Sequence, residues 1–400
     1  MRIAMMTESF LPKIDGVVTM LTKTVECLRQ NGDEVLIFAP SGGPNELFGA
    51  EVVPIPSVPF PLYPELRLAP PRASMRTKLK VFDPEVLHLF DPALLGVGGL
   101  YYADVLRVPL VVSYHTNLPA YLHYYKLGAI ERVTWKLMLE RHRRANLNLC
   151  TSTAMIDELQ SHGVNNLALW ERAVDSNLFR PSAQSVEMRN FLSNGEPKKP
   201  LLLYVGRLSV EKDVAKLRDV LQALPEARLA IVGDGPLRRD LERHFKGTSV
   251  FFTGYLRGES LASSYASADL FVLPSKTETL GLVLLEAMAS GCPVVACSAG
   301  GVPDAVQNGL TGFLFEAADR DGLVNAVKRA LGNRSDLEAI RVRARQEVEQ
   351  YSWQGATGQL RLHYSETIRD WRPDKHQVPK SATRRIASRV VLGALRTLLP

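Results

Sequence analysis

Residues 193–207 read SNGEPKKPLLLYVGR, and this stretch decides the architecture of the chain. Its first part, Ser193–Pro200, is polar and carries two prolines and a glycine, a composition typical of a linker. Its second part, Leu201–Val205, is an unbroken apolar run, which predicts a strand buried on both faces of a parallel sheet. The sequence therefore predicts a domain boundary at Ser193, with a new domain starting directly after it.

Short apolar runs alternate with longer helical patterns on both sides of this boundary. Before it, the predicted strands are Ile3–Met6, Glu34–Ala39, Val52–Ile55, Val86–Phe90, Leu110–Ser113, Leu147–Cys150 and Leu167–Trp170. After it, they are Leu201–Val205, Ala230–Val232, Val250–Thr253, Leu270–Leu273 and Val294–Cys297. This alternation predicts an α/β protein of two facing, doubly wound, Rossmann-like domains, with the ligand site in a deep cleft at the carboxyl ends of the strands.

Composition and cysteine usage place the chain among soluble globular proteins. Of its 400 residues, 46% are hydrophobic and 22% charged, which suits two domains that each bury a core. The cysteines are scattered, without the spacing of a disulfide framework or a zinc site, and this favours a reducing cytoplasm. No run approaches the roughly 20 apolar residues of a membrane span. We expect a cytoplasmic protein with no metal and no other cofactor.

The net charge of +6 comes entirely from the end of the chain, since residues 371–400 hold seven basic side chains and one acidic one. A neutral body argues against a nucleic-acid partner. On a helical wheel, Arg385, Arg389 and Arg396 lie opposite an apolar side of the tail, the pattern of a helix on an anionic membrane surface. A packed terminal helix is the alternative. The helical pattern over Ala129–Arg144 is a second candidate membrane-facing element, or an ordinary amphipathic helix.

Two segments after the boundary carry candidate chemistry. Arg207 closes the strand Leu201–Val205 and Lys212 follows in the next loop, so that two cations at a strand end suit a diphosphate. Farther on, Glu278 and Glu286 flank the start of a helix predicted near Leu280. The free amides of such a helix start bind anions. The alternatives are a solvated cation pair and a plain acidic surface helix.

Three further features of the chain are weaker signals. Gly16 lies in a loop before the first helix, where a ligand is able to approach the backbone, and His115 ends a strand at the edge that faces the predicted cleft. A lone histidine is more often structural than catalytic. The pair Asp319 and Asp321 opens a helix, where aspartate is the usual N-cap, so we assign it no metal.

Taken in order, Leu201–Arg207, Lys212, Glu278–Glu286 and Ala299–Asp304 resemble the retaining glycosyltransferases of family 4, which have the two-domain GT-B fold. The resemblance covers nearly the whole chain. It narrows to the members that transfer sulfoquinovose to diacylglycerol, on the segments Met6–Gly16, Ser193–Gly206, Leu224–Pro236 and Ser275–Gly291. It implies a UDP-sulfoquinovose donor and a diacylglycerol acceptor. With the basic tail and the scattered cysteines, we expect a peripheral position on the cytoplasmic face of a membrane.

The resemblance also implies a role for each candidate residue. It places Arg207 and Lys212 on the donor diphosphate, Glu286 on the ribose hydroxyls, Glu278 with the amides of Gly281 and Leu282 on the sugar and phosphates, His115 near the reacting centre, and Gly16 along the donor. Lys13 and Arg172 are our candidates for recognising the sulfonate. The implied domains are 1–192 for the acceptor, 193–355 for the donor, 356–372 as a helix returning to the first domain, and 373–400 as the basic tail.

One position departs from the family pattern, and other functions share the architecture. Ala173 stands where the family has glycine, which costs about 1 kcal/mol if that backbone needs a positive φ. A transferase that makes a neutral glycolipid from UDP-glucose or GDP-mannose is the main alternative. A nucleotide-sugar epimerase or hydrolase, and a non-catalytic nucleotide-sugar-binding protein, are alternatives of other classes.

Overall fold

The structure is a computed structural model that describes residues 1–60, 63–90, 94–117 and 128–373. The predicted amphipathic helix of the tail lies outside these residues. Two parallel sheets organise the chain, each covered by helices on both faces, and their buried strands confirm the predicted α/β architecture.

The first sheet has eight strands in the order β10-β9-β8-β7-β1-β2-β4-β3. The strands of the first domain are β1 Arg2–Thr7, β2 Glu34–Pro40, β3 Glu46–Leu47, β4 Ala50–Ile55, β5 Val58–Phe60, β6 Tyr63–Leu68, β7 Val86–Phe90, β8 Leu110–Tyr114, β9 Leu147–Cys150 and β10 Leu167–Leu169. All pairs are parallel except β3 with β4, while β5 and β6 form a separate antiparallel pair. The order reverses beside β1, so the loop after β1 leaves the sheet at its switch point and leads to Gly16, which is the first residue of the next helix rather than a loop residue.

The second sheet has six parallel strands in the order β13-β12-β11-β14-β15-β16. They are β11 Leu201–Val205, β12 Arg228–Val232, β13 Val250–Gly254, β14 Leu270–Leu273, β15 Val294–Cys297 and β16 Phe313–Phe315. Numbered within the domain, this order is 3-2-1-4-5-6, that of a Rossmann sheet. Its switch point lies between β11 and β14, so Arg207 and Glu278 leave the sheet at the same place.

Helices join the strands of both sheets. Those of the first domain are Gly16–Gln30, Ala73–Phe82, Leu94–Leu106, Gly128–Arg144 and Thr153–Ser161. Those that follow are Val186–Leu192, Leu217–Ala223, Arg238–His244, Gly258–Ser267, Leu282–Ala289, Val302–Ala305, Gly322–Gly332, Arg334–Glu349 and Trp353–Asp370. The predicted helix over Thr19–Gln30 starts earlier, where the Asp15 side chain caps the N–H of Val18 at 2.8 Å.

The chain passes into the second domain earlier than predicted. Ala173 packs in the core of the first domain, whereas Val174, Phe179 and Leu192 pack in the core of the second. The boundary therefore lies before Val174, not at 192/193, and Ser193–Pro200 is a surface turn inside the second domain. Proline, glycine and polar residues mark a turn as well as a linker, which explains the difference. Ala173 does not have a positive φ, so the family glycine is not needed for that reason.

The chain returns to the first domain next to where it left. Tyr351 packs against the second core and Trp353 in the first, and the carbonyl of Tyr351 accepts a 3.1 Å hydrogen bond from Val174 N–H. The helix Trp353–Asp370 then packs along Gly16–Gln30 in the first domain. It starts slightly before the predicted residue 356. The hydrogen bond between Val174 and Tyr351 therefore joins the two places where the chain passes between the domains.

Three arginines at the end of the helix Gly128–Arg144 make contacts within the protein. Arg141 is buried close to Glu8, Arg143 donates to the carbonyl of His162, and Arg144 pairs with Asp104. These contacts favour an ordinary amphipathic helix over a membrane-facing element. Among the helices of the described residues, none combines the length and the apolar character needed to cross a membrane.

Candidate active site between the domains

Lys212 and Glu278, which the sequence predicts separately, form an ion pair. Lys212 ends a short 3-10 turn after β11, and its Nζ lies 2.6 Å from Glu278 Oε1. Arg207 lies two residues after the end of β11, and its carbonyl accepts a 3.0 Å hydrogen bond from the Tyr204 hydroxyl. Both cations therefore leave the sheet at its switch point.

The side chain of Glu278 is buried, and its backbone is held in place by Gly300 and Gly301. Gly301 N–H donates to the Glu278 carbonyl at 2.7 Å. Gly300 has a φ of +58°, and a Cβ there would lie 2.2 Å from that carbonyl oxygen. Only glycine allows this close approach. The segment Ala299–Asp304, which the sequence analysis singled out, therefore supports the acidic residue of the site.

The helix after Glu278 begins at Leu282 rather than near Leu280. Gly281 is its N-cap, with a φ of +70°, and it offers no side chain to cap the first amides. The position before a helix is where an anion binds most readily, because the first N–H groups lack partners within the helix. The structure therefore leaves the Gly281–Leu282 amides in the arrangement that the sequence predicts for phosphate or sugar binding.

Glu286 is half-buried on the same helix, and its Oε2 accepts a 2.9 Å hydrogen bond from the Tyr265 hydroxyl. Burial raises the pKa of its carboxyl to about 7, and the Tyr265 hydrogen bond opposes this rise. The carboxyl keeps a second oxygen with which to accept hydrogen bonds from ligand hydroxyls. No sequence pattern points to Tyr265, which is a lone aromatic residue in the separate helix Gly258–Ser267.

His115 directly follows β8, on the side of the first domain that meets Thr279 of the second domain. Its ring is buried, stacks on Phe90 with centroids 4.3 Å apart, and meets the edge of Trp170 at 5.2 Å. Burial lowers the pKa of the imidazole to about 3, with Asp15 acting in the opposite direction. The imidazole is therefore neutral at physiological pH. Its Nε2 lies 2.8 Å from Ser113 Oγ.

Contacts across the interface bring His115 and Gly16 of the first domain close to the segment 278–286 of the second. The Thr279 hydroxyl donates to the His115 carbonyl at 2.7 Å, and Leu280 packs in the core of the first domain. A Cβ on Gly16 would lie 3.6 Å from Leu282 Cδ1. The structure therefore joins Gly16 and His115 of the first domain to the segment 278–286 of the second.

The two candidates for sulfonate recognition each have a carboxylate partner. Lys13 Nζ lies 2.6 Å from Asp15 Oδ2, beside His115. Arg172 donates to the Asp304 carbonyl and lies 3.5 Å from its carboxylate, which also accepts from Thr153 N–H. Arg172 and Asp304 thus link the domains, a role that the sequence did not predict. Recognition of a sulfonate by either residue stays a prediction.

The predicted helix start at Asp319 and Asp321 is present. Asp321 occupies the N-cap position of Gly322–Gly332, but its side chain makes no capping bond, while Asp319 Oδ1 accepts from Asp321 N–H at 3.1 Å. Across the described ranges, no three His, Cys, Asp or Glu side chains group as metal ligands do. The absence of a metal in the reaction stays a prediction.

Two family models match the chain. The first is described as Glycosyltransferase Family 4 and matches residues 14–178; the second is described as Glycosyl transferases group 1 and matches residues 199–333. The two matches fall on the two domains. The second contains Arg207, Lys212, Glu278 and Glu286.

Curated relatives align along most of the chain. The sulfoquinovosyl transferase SQD2 of Arabidopsis thaliana is 42% identical over 94% of this chain and 76% of its own length. A GDP-mannose-dependent alpha-mannosyltransferase of Mycolicibacterium smegmatis is 37% identical over 92% and 98%. The alpha-monoglucosyldiacylglycerol synthase of Streptococcus pneumoniae is 29% identical over 74% and 71%.

A solved structure, Anabaena Alr3699/HepE in complex with UDP and glucose, has the same fold. It superposes with a TM-score of 0.75 at 20% identity, over 91% of this chain and 99% of that one. The likeness confirms the predicted GT-B fold of two parallel-sheet domains.

Proposed function

The chain belongs to the family 4 glycosyltransferases, and on this premise we propose that it transfers sulfoquinovose from UDP-sulfoquinovose to diacylglycerol, with retention at the sugar carbon. The single observation that carries the choice of sugar is the 42% identity with a sulfoquinovosyl transferase over 94% of the chain. The lipid acceptor is further supported by the relative whose name is that of a monoglucosyldiacylglycerol synthase.

The geometry between the domains supports binding of a nucleotide-sugar. Arg207 and Lys212 offset the charge that grows on the diphosphate as it leaves, and the Gly281–Leu282 amides bind its oxygens. Glu286 accepts the ribose hydroxyls. The Lys212 ammonium lies 2.6 Å from Glu278 Oε1, so a phosphate that binds Lys212 shares this ammonium with Glu278. We propose that this sharing turns the Glu278 carboxylate toward the sugar.

In the reaction that we propose, the acceptor hydroxyl attacks from the face that the diphosphate leaves. The leaving phosphate oxygen takes the proton of that hydroxyl as the glycosidic bond breaks, so no protein nucleophile is required. Glu278 and His115 position the sugar. This mechanism needs electrostatic stabilisation at the diphosphate more than any other contribution, and the two cations provide it.

The acceptor is a lipid, so we propose that the enzyme works at a membrane surface as a peripheral protein on the cytoplasmic face. The excess of basic residues over 371–400 supports this position, since each basic side chain near an anionic surface contributes about 1 kcal/mol. Lys13, beside His115, is our candidate for the sulfonate.

Transfer of a neutral sugar is the second candidate function, because a mannosyltransferase that uses GDP-mannose aligns at 37% identity over nearly all of the chain. Purified protein incubated with diacylglycerol vesicles and each of UDP-sulfoquinovose, UDP-glucose, UDP-galactose and GDP-mannose separates the two. We expect a sulfonated lipid from the first donor alone. A glycolipid from a neutral donor would replace the proposal by neutral glycolipid synthesis, and free sugar released at full rate without lipid would indicate a hydrolase.

A further inference from the structure

A line of buried hydrogen bonds runs from His115 to the helix that returns from the second domain. The Tyr364 hydroxyl lies 2.6 Å from His88 Nδ1. His88 Nε2 lies 3.0 Å from Ser113 Oγ, which in turn lies 2.8 Å from His115 Nε2. His88, Ser113 and Tyr364 have no solvent exposure, and His115 is 4% exposed. Residues 276 positions apart in the chain are thereby connected through side chains alone.

Burial fixes the direction of these bonds, beginning at Tyr364. Desolvation lowers the pKa of His88 and of His115 to about 3, so each imidazole is neutral and carries one N–H and one bare nitrogen. Within the part of the chain that the structure describes, His88 is the one partner of the Tyr364 hydroxyl. A buried O–H has to donate, so Tyr364 donates to His88 Nδ1, and the proton of His88 resides on Nε2.

The remaining bonds follow from that first one. His88 Nε2–H donates to Ser113 Oγ, which leaves the Ser113 hydroxyl proton for His115 Nε2. His115 therefore carries its own proton on Nδ1. Its ring plane is fixed by Phe90, which stacks on it at an interplanar angle of 14°. The imidazole is thus held in one tautomer and one orientation.

We propose that Tyr364 and His88, acting through Ser113, are positioning residues that hold His115 as the Nδ1–H tautomer, so that it presents a hydrogen-bond donor to an oxygen of the bound sugar. The inference rests on the proposed function for the role of His115. The helix Trp353–Asp370, with which the chain returns to the first domain, thereby contributes to the site, because its Tyr364 supplies the hydroxyl that starts the line of hydrogen bonds. The opposite tautomer would present a lone pair to the same oxygen.

The test is the tautomer of each histidine, read by long-range proton–nitrogen NMR of protein labelled with ring-15N histidine. His88 and His115 signals are assigned by their loss in His88→Gln and His115→Gln. We expect His88 to be protonated on Nε2 and His115 on Nδ1. In Tyr364→Phe the donor at the start of the line is absent, so the Nε2–H tautomer of His115 becomes populated. We expect kcat/KM to fall roughly tenfold, the cost of one substrate hydrogen bond.

Tyr102→Phe is the matched control. Tyr102 is also a buried tyrosine of the first domain, and its hydroxyl donates to the Arg72 carbonyl at 2.6 Å. We expect it to lose comparable stability, with both tautomers and the activity unchanged. If Tyr364→Phe does not fold, Ser113→Ala gives the same reading, since it cuts the line while Tyr364 still donates to His88.

The NMR readout needs no substrate, so it separates this inference from the proposed function. A His115 protonated on Nε2 in the wild-type protein would overturn the inference. So would an unchanged His115 tautomer in Tyr364→Phe or, where that variant is unfolded, in Ser113→Ala. The expected tautomers in a protein that transfers no sugar would support the line of hydrogen bonds and contradict the proposed function.

Discussion

The hydroxyl of Thr279 donates to the backbone carbonyl of His115 at 2.7 Å, and this bond joins the loop before the helix Leu282–Ala289 in the second domain to the end of β8 in the first. Thr279 lies directly after Glu278 and two residues before the glycine that starts the helix Leu282–Ala289. The two halves of the site are thereby linked by a hydrogen bond. A change at Thr279 should therefore alter catalysis while leaving each domain intact.

Thr279→Val keeps the shape of the side chain and removes this bond. A hydrogen bond of this kind contributes about 1 kcal/mol, so we expect kcat/KM to fall roughly fivefold with the melting temperature nearly unchanged. Thr367→Val is the control, because among the described residues the Thr367 hydroxyl bonds within its own helix alone, to the His363 carbonyl. Steady-state kinetics compares the two. Equal effects of both substitutions would contradict a role for Thr279 between the domains.

Arg207→Ala should lower kcat by roughly 10²–10³-fold, because the lost charge stabilises the leaving diphosphate only as the bond breaks. Arg228→Ala is a matched control. Arg228 starts β12 at the amino end of the sheet and pairs with Glu196, away from the switch point. We expect its kcat to match that of the wild-type enzyme. Near-normal turnover in Arg207→Ala would remove Arg207 from the proposed site.

The fold and the site differ in how much the sequence predicts. Apolar runs such as Leu201–Val205 have the composition and length of buried strands, and the structure has this strand at the predicted bounds. The short edge strand Phe313–Phe315 was missed, since three residues carry no period. The site residues of the second domain follow from their place after strands. Tyr364 and Tyr265, and the pairing of Asp304 with Arg172, were missed because the partners are distant in the chain, and no local pattern encodes a contact of that kind.

Glu286 should make stability depend on pH in one direction. Burial raises the pKa of its carboxyl from the ordinary 4.5 to about 7, so between these pH values the folded protein binds the proton more tightly than the unfolded chain does. Stability from this group is present at pH 4.5 and is lost as the pH rises through 7. Relative to wild type, Glu286→Gln should gain stability over that window, by about 3 kcal/mol at most. Urea unfolding at several pH values measures this difference, and a difference independent of pH would contradict it.

Lys13 and Arg172 should separate in their effect on the choice of donor. The Arg172 guanidinium bonds Asp304 across the interface, so we expect Arg172→Gln to lower transfer from UDP-sulfoquinovose and from UDP-glucose by the same factor. Lys13 is paired with Asp15 beside His115, where the sugar is predicted to bind. We expect Lys13→Gln to reduce the preference for the sulfonated donor. Competition between the two donors gives that ratio, and an unchanged ratio in both variants would exclude both residues from sulfonate recognition.

Arg385, Arg389 and Arg396 should control membrane binding, because they form the basic side of the amphipathic pattern in the tail. Each contributes about 1 kcal/mol at an anionic surface, so replacing all three by glutamine should weaken binding to anionic vesicles by roughly 100-fold. Binding to neutral vesicles should change little, and added salt should weaken the wild-type protein toward the variant, since screening removes the same attraction. Vesicle sedimentation measures binding to anionic vesicles, to neutral vesicles and with added salt.

The matched control replaces three basic residues of the second domain, Arg239, Arg243 and Lys246, by glutamine, and should leave vesicle binding unchanged. Equal binding by the wild-type protein and the tail variant would instead favour a terminal helix packed on the protein.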